Sequence, residues 1–306
     1  MNWLIAVSIS CCCSLLFLRW LLRRKRFNIS GKTILITGAS SGLGEALARR
    51  LFNKQCQLIL LARRIDRLEN LCQELLQLHP SYPKPKTIQI DLSNFEQITS
   101  CSSLNNILQH DSIDCLINNA GISQRSSVLD TSIDIVNDIF RLNYLSLVTL
   151  TKLVLTKIIE RKQKNATIVN ISSLQGLIAV PERSSYAASK HAVQAFSDSL
   201  RMELKEEYSE QNINICVVSP SYIRTELGQQ AFSRMNKDEK SSDDNISKGY
   251  EADYVAERII KAIEYRENDV VIAPFVQYLA IWLRRLWPTG YFRMMVARNK
   301  RLKAKK

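Results

Sequence analysis

Neither end of this sequence contains an acidic residue. Residues 1–30 carry five basic side chains and residues 274–306 carry nine, in a chain of 306 residues with a net charge of +13. The residues between them are therefore close to neutral. Both basic ends are rich in Trp, Leu and Phe, and basic residues that flank apolar segments suit a membrane surface better than a nucleic acid. The charge pattern predicts a membrane as partner, and no nucleic acid.

The cysteines lack the spacing of a metal site or a disulfide framework. Three of the eight form the run Cys11–Cys13, and the others are scattered without a CxxC pair, at Cys56, Cys72, Cys101, Cys115 and Cys216. These spacings match no zinc motif and favour free thiols in a reducing compartment. We therefore predict no metal. The sequence also lacks an internal repeat, which argues against a solenoid or a propeller.

No charge precedes the apolar run Trp3–Leu22, which Arg19 alone interrupts, and basic residues 23–26 follow it. A secretory signal has the reverse arrangement. The 20 residues of the run reach about 30 Å as a helix, enough to cross a bilayer. We predict that residues 1–30 are a single-pass transmembrane anchor, with the main domain in the cytosol by the positive-inside rule. A membrane hairpin or an interfacial helix is the alternative.

Apolar strands alternate with amphipathic helices from residue 31 to residue 273. This alternation predicts an α/β fold, a single doubly wound (Rossmann-type) parallel sheet with helices on both faces. The predicted strands are Thr33–Thr37, Gln57–Ala62, Thr87–Asp91, Ile113–Ile117, Ala166–Ile171, Ile213–Ser219 and Asp269–Ala273. Ligands of such sheets bind at the carboxyl ends of the strands.

The first strand leads directly into a glycine loop and then a helix. The loop contains Gly38, Gly42 and Gly44. Strand, glycine loop and helix together are the context of a dinucleotide site, because the backbone approaches the phosphates closely and the helix N-terminus attracts them. A glycine-rich turn without a ligand is the alternative.

The second strand ends at Arg63 and Arg64, where a site for NAD usually carries an acidic residue for the ribose hydroxyl. Arg63 is placed to accept a 2′-phosphate, so the sequence favours NADP(H) over NAD(H). The alternative is that both arginines begin a solvated helix. Asp91 ends the third strand, beside the expected adenine.

Tyr186 and Lys190 are four residues apart and share one face of a predicted helix. A phenol is a poor acid near neutrality, and an ammonium beside it lowers its pKa. The pair therefore predicts proton transfer at a carbonyl or an alcohol. A partly exposed helix with a surface lysine would show the same spacing.

These motifs, taken in order, resemble the short-chain dehydrogenase/reductase family over roughly residues 31–273. The resemblance rests on Thr37-Gly38-x-x-x-Gly42-x-Gly44, Asn118-Asn119-Ala120-Gly121, Ser173, Tyr186-x-x-x-Lys190 and Pro220–Thr225. Gly121–Ser126, Tyr186–Ala192 and the apolar-then-basic C-terminus are similar to a membrane-bound subgroup, the member 7B type. Ser221 stands where the family usually has glycine.

The resemblance implies a role for each matching residue. Tyr186 is the proton donor during reduction, Lys190 lowers its pKa and binds the nicotinamide ribose, Ser173 holds the substrate oxygen, and Asn143 organises a proton-relay water. The implied cofactor-binding residues are Thr37, Gly38, Ser41, Gly42, Leu43, Gly44, Arg63, Asp91, Asn118, Ala120, Gly121, Tyr186, Lys190, Pro220, Ile223 and Thr225. Family habit also leads us to expect a homo-oligomer.

Two further segments lie near the predicted site. Residues 274–306 contain an apolar stretch, Phe275–Trp287, that is too short to span a bilayer. We predict a C-terminal segment at the membrane surface, and its first half can equally cover the substrate end of the core. The polar residues 228–249 are either a substrate lid or a disordered loop.

The sequence thus predicts a membrane-anchored NADP(H)-dependent oxidoreductase that reduces a lipophilic carbonyl, at the endoplasmic reticulum or peroxisomal membrane. Candidate substrates are an acyl- or alkyl-dihydroxyacetone phosphate, towards which the 7B resemblance tilts, a ketosteroid or a retinal. Retinoid or steroid dehydrogenase activity is thus one alternative. A non-catalytic NADP(H)-binding scaffold is the alternative from another class.

Overall fold

The computed structural model describes residues 27–225, 231–232, 240–241 and 249–303. Seven parallel strands form its main sheet. They are β1 (Thr33–Thr37), β2 (Gln57–Ala62), β3 (Lys86–Gln89), β4 (Cys115–Asn118), β5 (Thr167–Ile171), β6 (Asn214–Pro220) and β11 (Asp269–Ile272). Their order across the sheet is β11-β6-β5-β4-β1-β2-β3. The doubly wound parallel sheet predicted from the sequence is confirmed.

Four two-residue strands lie outside the main sheet. Ile223–Arg224 (β7) pairs in parallel with Tyr250–Glu251 (β10), and Ala231–Phe232 (β8) pairs antiparallel with Lys240–Ser241 (β9). The rest of the segment 228–249, except Gly249, is outside the described residues, and so is the lid predicted there.

Helices cover both faces of the sheet. They are α1 (Gly42–Asn53), α2 (Ile65–Leu78), α3 (Phe95–Ser100), α4 (Ser102–His110), α5 (Ile133–Phe140), α6 (Ser146–Glu160), α7 (Ser184–Glu207), α8 (Ala252–Glu264), α9 (Phe275–Leu286) and α10 (Pro288–Lys303). Residues from α1, α2 and α8 pack in the core on one face, and residues from α3, α4, α6 and α7 pack on the other.

The central strands are mainly apolar because both of their faces are buried. In β1, Ile34 and Ile36 join the core on one face and Leu35 joins the core on the other, and all three are fully buried. This alternation follows from the two-residue period of a strand.

One helical stretch in the described part of the chain is long and apolar enough to cross a membrane, Ile133–Glu160. It comprises α5, a single π-helical turn at Arg141–Leu145, and α6. Its Leu150, Val154 and Ile158 are buried in the core against the sheet. The stretch is therefore a core helix of the domain.

The predicted anchor, residues 1–30, lies outside the described residues up to residue 26. Phe27 is packed in the core, and its backbone N–H donates to the backbone oxygen of Glu264 at the end of α8. This contact lies near the amino ends of the strands. The chain therefore enters the domain at the edge of the sheet opposite the carboxyl ends.

The last two helices, α9 and α10, form a hairpin on the substrate side of the fold. Ile281, Tyr291 and Met295 form a small core with Leu174 and Ile178, which lie between β5 and α7. The Tyr291 hydroxyl also donates to the backbone oxygen of Ala179, at 2.7 Å. The C-terminal hairpin thus covers the segment that leads to Tyr186, as the alternative interpretation of Phe275–Trp287 predicted.

Candidate active site

The cleft lies between β1 and β4, where the strand order reverses. In the glycine loop after β1, Gly38 has φ +65°, and a Cβ there would lie 3.0 Å from the Cα of Ala120. A Cβ on Gly44 would lie 2.3 Å from the backbone oxygen of Gly38. The loop can therefore pack this closely on the chain after β4 only with glycine at both positions. This switch point is where doubly wound sheets bind nucleotides.

Thr37 and Asn118 support the cleft without lining it. The Thr37 hydroxyl accepts hydrogen bonds from the backbone N–H groups of Asn119 and Ala120, at 2.8 and 2.9 Å. The Asn118 amide donates to Thr151 and to Asn170, both at 2.9 Å, on the buried side of β4. The Thr37 side chain thus holds the end of β1 to the chain after β4, and the Asn118 side chain holds the end of β4 to β5 and α6. It is the next residue, Asn119, that reaches the cavity wall.

Two arginines lie at the adenosine end of the cleft. Arg63 is exposed and lines the cavity, and its role as a ligand of a 2′-phosphate stays a prediction. Arg64, which the sequence analysis assigned no role, donates from Nη2 to the hydroxyls of Ser40 at 3.2 Å and Ser41 at 2.7 Å. Arg64 therefore ties the start of α2 to the glycine loop.

Asp91 follows β3 and faces the same end of the cleft. Its Oδ1 atom accepts hydrogen bonds from the backbone N–H of Ser93 at 2.9 Å and from the Ser93 hydroxyl at 2.7 Å. These bonds fix the carboxylate at the rim of the cavity, beside the position expected for an adenine.

Ser173 and Tyr186 meet in the middle of the cleft. Ser173 follows β5, and Tyr186 lies in the first turn of α7. The Ser173 side chain lies close enough to the phenol to lower its pKa, and the Ser173 hydroxyl accepts a hydrogen bond from the backbone N–H of Gln175 at 3.1 Å. Two hydroxyl groups that face one point can both contact the oxygen atom of a carbonyl substrate.

Burial is the largest influence on the pKa values of both Tyr186 and Lys190. Burial raises the pKa of Tyr186, and the Ser173 side chain and the charge of Arg183 offset this only in part. Burial also lowers the pKa of Lys190 to about 8. Lys190 is not among the groups that act on the pKa of Tyr186, whereas the charge of Arg183 lowers it. The lowering of this pKa by Lys190 stays a prediction.

Asn143 lies in the π-helical turn between α5 and α6 and is buried. Its Oδ1 accepts from the backbone N–H of Ile122 at 2.8 Å, and its Nδ2 donates to the backbone oxygen of Ile122 at 3.0 Å and to Ser189 at 3.1 Å. A Cβ on Gly121 would lie 3.1 Å from Asn143 Oδ1 and 3.7 Å from Lys190 Nζ. Asn143 thus holds the chain after β4 against the catalytic helix. It does not line the cavity itself.

The segment after β6 forms another part of the cavity wall. Ser221, where the family usually has glycine, keeps a negative φ and donates from its backbone N–H to Ile272 at 2.8 Å. Its hydroxyl donates to the side-chain oxygen of Gln277 on α9. Serine is therefore accommodated without strain, and its side chain links this segment to the C-terminal hairpin.

These groups surround one cavity of about 440 Å³. Four of the residues predicted from the sequence, Thr37, Gly44, Asn118 and Asn143, lie behind its wall. The predicted residues that line it are Gly38, Ser41, Gly42, Leu43, Arg63, Asp91, Ala120, Gly121, Ser173, Tyr186, Lys190, Pro220, Ile223 and Thr225. No cluster of metal-ligating side chains occurs in the part of the chain that the structure describes.

The cavity wall also contains residues that the sequence analysis assigned no role. Arg183 is buried close to Tyr186, and its guanidinium donates to the Ser123 hydroxyl. Farther out, the wall is formed by Ile178, Val180, Gln277, Ala280, Met295 and Arg298. None of these belongs to a motif, and the only signal in the sequence was the apolar character of Phe275–Trp287.

A parallel sheet with a nucleotide cleft at its switch point, and with a serine and a tyrosine facing one point inside it, defines a nicotinamide-dependent oxidoreductase. The family model of the short chain dehydrogenases matches residues 32–236 of this chain. The chain therefore belongs to the short-chain dehydrogenase/reductase family, as the motifs indicated.

Relatives in animals cover nearly the whole chain. The Dehydrogenase/reductase SDR family protein 7-like of Anopheles gambiae is 42% identical over 283 residues, which are 92% of this chain and 87% of that protein. The SDR family member 7B of Bos taurus is 39% identical over 292 residues, which are 93% of this chain and 86% of that protein. The subgroup inferred from the motifs is confirmed.

Solved structures show the same fold. A short-chain dehydrogenase/reductase of Burkholderia phymatum, in complex with NAD, superposes with a TM-score of 0.73 at 21% identity, over 85% of this chain and 94% of that one. A short-chain dehydrogenase of Sphingobium yanoikuyae, in complex with NADPH, gives 0.68 at 26% identity, over 83% of this chain and 93% of that one.

Proposed function

We propose that this protein is a membrane-anchored, NADP(H)-dependent reductase that converts a lipophilic ketone into an alcohol, with Tyr186 as proton donor. One observation carries the proposal. A single cavity contains Arg63 and Arg64 at one end, Tyr186 in the middle, and the apolar side chains of Ile178 and Met295 at the other. A phosphorylated nucleotide and an apolar substrate can therefore meet at the phenol.

The cleft suits a nicotinamide dinucleotide. Gly38 and Gly44 let the loop pack closely on the chain after β4. The loop leads into the N-terminus of α1, where the N–H groups of a helix attract phosphate. Arg63 is exposed in the cavity wall and suits a 2′-phosphate. When bound, the cofactor supplies the hydride, and the protein positions it and supplies the proton.

The protonation state of Tyr186 favours reduction. Because burial raises its pKa, the phenol keeps its proton at neutral pH. Tyr186 and Ser173 can then both donate hydrogen bonds to a substrate oxygen, and the Tyr186 proton transfers as charge develops there. Lys190 and Asn143 hold the surrounding backbone through Ile171 and Ile122.

The outer end of the cavity favours an anionic amphiphile. Ile178, Val180 and Met295 offer an apolar wall, and Arg183 and Arg298 add two guanidinium groups to it. An acyl- or alkyl-dihydroxyacetone phosphate has both an apolar chain and a phosphate, whereas a ketosteroid or a retinal has no anionic group. This match supports an acyl- or alkyl-dihydroxyacetone phosphate as the substrate.

The anchor in residues 1–30 would hold the domain on the cytosolic side of the endoplasmic reticulum or peroxisomal membrane.

The test is NADPH consumption by the full chain in detergent with four carbonyl compounds: three ketones, which are an acyl-dihydroxyacetone phosphate, an alkyl-dihydroxyacetone phosphate and a ketosteroid, and one aldehyde, a retinal. We expect turnover of the phosphorylated ketones, and a loss of roughly 100-fold or more in kcat for Tyr186→Phe, the range of general acid catalysis. Tyr254→Phe on α8 is the matched control, because that ring is exposed and outside the cavity.

Two outcomes would overturn the proposal. Cofactor binding without turnover of any ketone would indicate a scaffold, and equal turnover by wild type and Tyr186→Phe would remove the tyrosine from the chemistry. Turnover of the ketosteroid or retinal alone would assign another substrate class.

A further inference from the structure

The outward side of α9 is apolar. Phe275, Leu279, Trp282 and Leu286 are spaced by four, three and four residues, so they form one stripe along the helix. Their exposed fractions are 73%, 47%, 48% and 80%. The other side of the same helix faces the core through Ile281. The helix is thus apolar on both sides, although only one of them is covered.

Helix α10 extends this surface. Phe292, Met294 and Val296 are each about half exposed, at 52%, 45% and 51%. Phe292 is joined to α9 by the guanidinium of Arg284, which lies 4.9 Å from its ring centre. The hairpin α9–α10 therefore presents large apolar side chains from both helices to the outside. An apolar surface of this kind usually marks an interaction site.

The charge on the hairpin indicates which kind of partner its apolar surface binds. Arg285, Arg293, Lys300 and Arg301 are exposed, and the sequence has no acidic residue from position 274 to its end. A two-fold contact with a second copy would bring these cations together without an acid from either hairpin to pair with them. An anionic lipid surface satisfies both features, because acyl chains accept the apolar side chains and headgroups attract the cations.

The cavity opens at the same hairpin. Ala280 on α9 and Met295 and Arg298 on α10 form its outer wall. Arg298 is also exposed, so the cavity reaches the surface beside this side chain. A molecule that leaves a lipid layer at the hairpin would enter the cavity at its apolar end.

We propose that the hairpin α9–α10 docks on an anionic lipid surface through its outward apolar side, so that the cavity opens beside the bilayer. The proposal concerns a surface and not a reaction. It is tested without cofactor or substrate, and its failure would therefore be distinct from a failure of the proposed reductase.

The tryptophans provide the probe. The chain has four, and Trp282 and Trp287 of the hairpin are both exposed, while the other two are Trp3 and Trp20. In the full-length variant Trp3→Phe/Trp20→Phe, the fluorescence reports the hairpin alone. This variant is reconstituted in phosphatidylcholine vesicles with and without phosphatidylserine, each with ordinary or brominated acyl chains.

We expect brominated chains to quench the fluorescence in vesicles that contain phosphatidylserine, and less in pure phosphatidylcholine. Adding Leu279→Asp/Leu286→Asp should remove the quenching, because it places two carboxylates in the apolar stripe. The matched control is Val128→Asp/Leu129→Asp, which adds the same charges at residues that are 71% and 92% exposed elsewhere. The control should keep the quenching.

Fluorescence that brominated chains do not quench in either kind of vesicle would overturn the proposal. Equal quenching with and without phosphatidylserine would also overturn the proposal, because the anionic headgroups would then play no part in docking. A dimer in detergent that Leu279→Asp/Leu286→Asp dissociates, together with unquenched fluorescence in vesicles, would assign the hairpin to a second copy instead. Thermal melting of each variant establishes that it is folded.

Discussion

The Nζ atom of Lys190 lies 6.0 Å from the centre of the Tyr186 ring, and its hydrogen bond goes to the backbone oxygen of Ile171 at 2.8 Å. The lysine thus connects α7 to the end of β5. In the protein without ligand, it does not contact the phenol hydroxyl through a hydrogen bond. Burial keeps the phenol protonated, and this is the state that a proton donor requires.

The buried lysine predicts a pH dependence of stability. The pKa of Lys190 is about 8 in the folded protein and 10.5 as its ordinary value. Between these values the unfolded chain binds more protons, so the free energy of unfolding rises with pH. Relative to Lys190→Met, the wild type without cofactor should gain up to about 3 kcal/mol between pH 8 and 10.5. Urea unfolding across this range measures the difference, and parallel curves for the two proteins would contradict it.

We expect substitutions of Arg63 and Arg64, the two arginines after β2, to change cofactor binding in different ways. A charge-assisted hydrogen bond contributes about 1.5–3 kcal/mol, so Arg63→Ala should weaken NADPH binding roughly 10- to 100-fold and leave NADH unchanged. Arg64→Ala should weaken both, because the glycine-loop serines lose their donor. Isothermal titration with each cofactor measures the Kd values.

Arg49→Ala is the control for both arginine variants, because Arg49 pairs with Glu45 and Glu74 outside the cavity. An equal loss of NADH and NADPH affinity in Arg63→Ala would argue against a 2′-phosphate at that side chain.

Gly44→Ala should prevent the glycine loop from packing. Its Cβ would lie 2.3 Å from the backbone oxygen of Gly38 and 2.6 Å from Asn119 Nδ2, and backbone cannot yield as a flexible side chain can. Gly31→Ala is the comparison: its φ of +74° costs roughly 1–2 kcal/mol, but its Cβ meets no atom within 4 Å. We expect the melting temperature to fall much further for Gly44→Ala, and similar losses would contradict the collision.

Ser221 and Gln277 should be energetically coupled. The hydroxyl of Ser221 donates to the Gln277 side chain across the boundary between the cofactor segment and α9. A double-mutant cycle with Ser221→Ala and Gln277→Leu should give a coupling energy of about 0.5–1.5 kcal/mol in urea unfolding. Additive effects of the two substitutions would show that the bond does not stabilise the hairpin.

The sequence predicted the sheet because buried parallel strands are apolar on both faces, and Gln57–Ala62 is a strand with the bounds expected from its apolar run. The glycine loop and the Tyr186–Lys190 pair were predictable for a similar reason, since their chemistry acts within one short segment. The directions of neighbouring side chains could not be predicted. Asn118 faces the core, whereas Asn119 reaches the cavity.

Contacts between distant segments were not predictable. Arg298 joins the cavity wall from more than 100 residues after Tyr186, and Arg183 is an ordinary charged residue until the fold buries it. The π-helical turn around Asn143 inserts one extra residue into a helical ladder. No apolar period marks that insertion in the sequence.

The position of Phe27 has a consequence for how the domain would be attached to a bilayer. Phe27 enters at the amino ends of the strands, and the hairpin α9–α10 lies near their carboxyl ends. The five residues of β1 separate these edges by about 17 Å. A bilayer contact through both the N-terminal segment and the hairpin would therefore involve both edges of the sheet. A domain held in this way has two points of attachment, and release of one leaves it attached by the other.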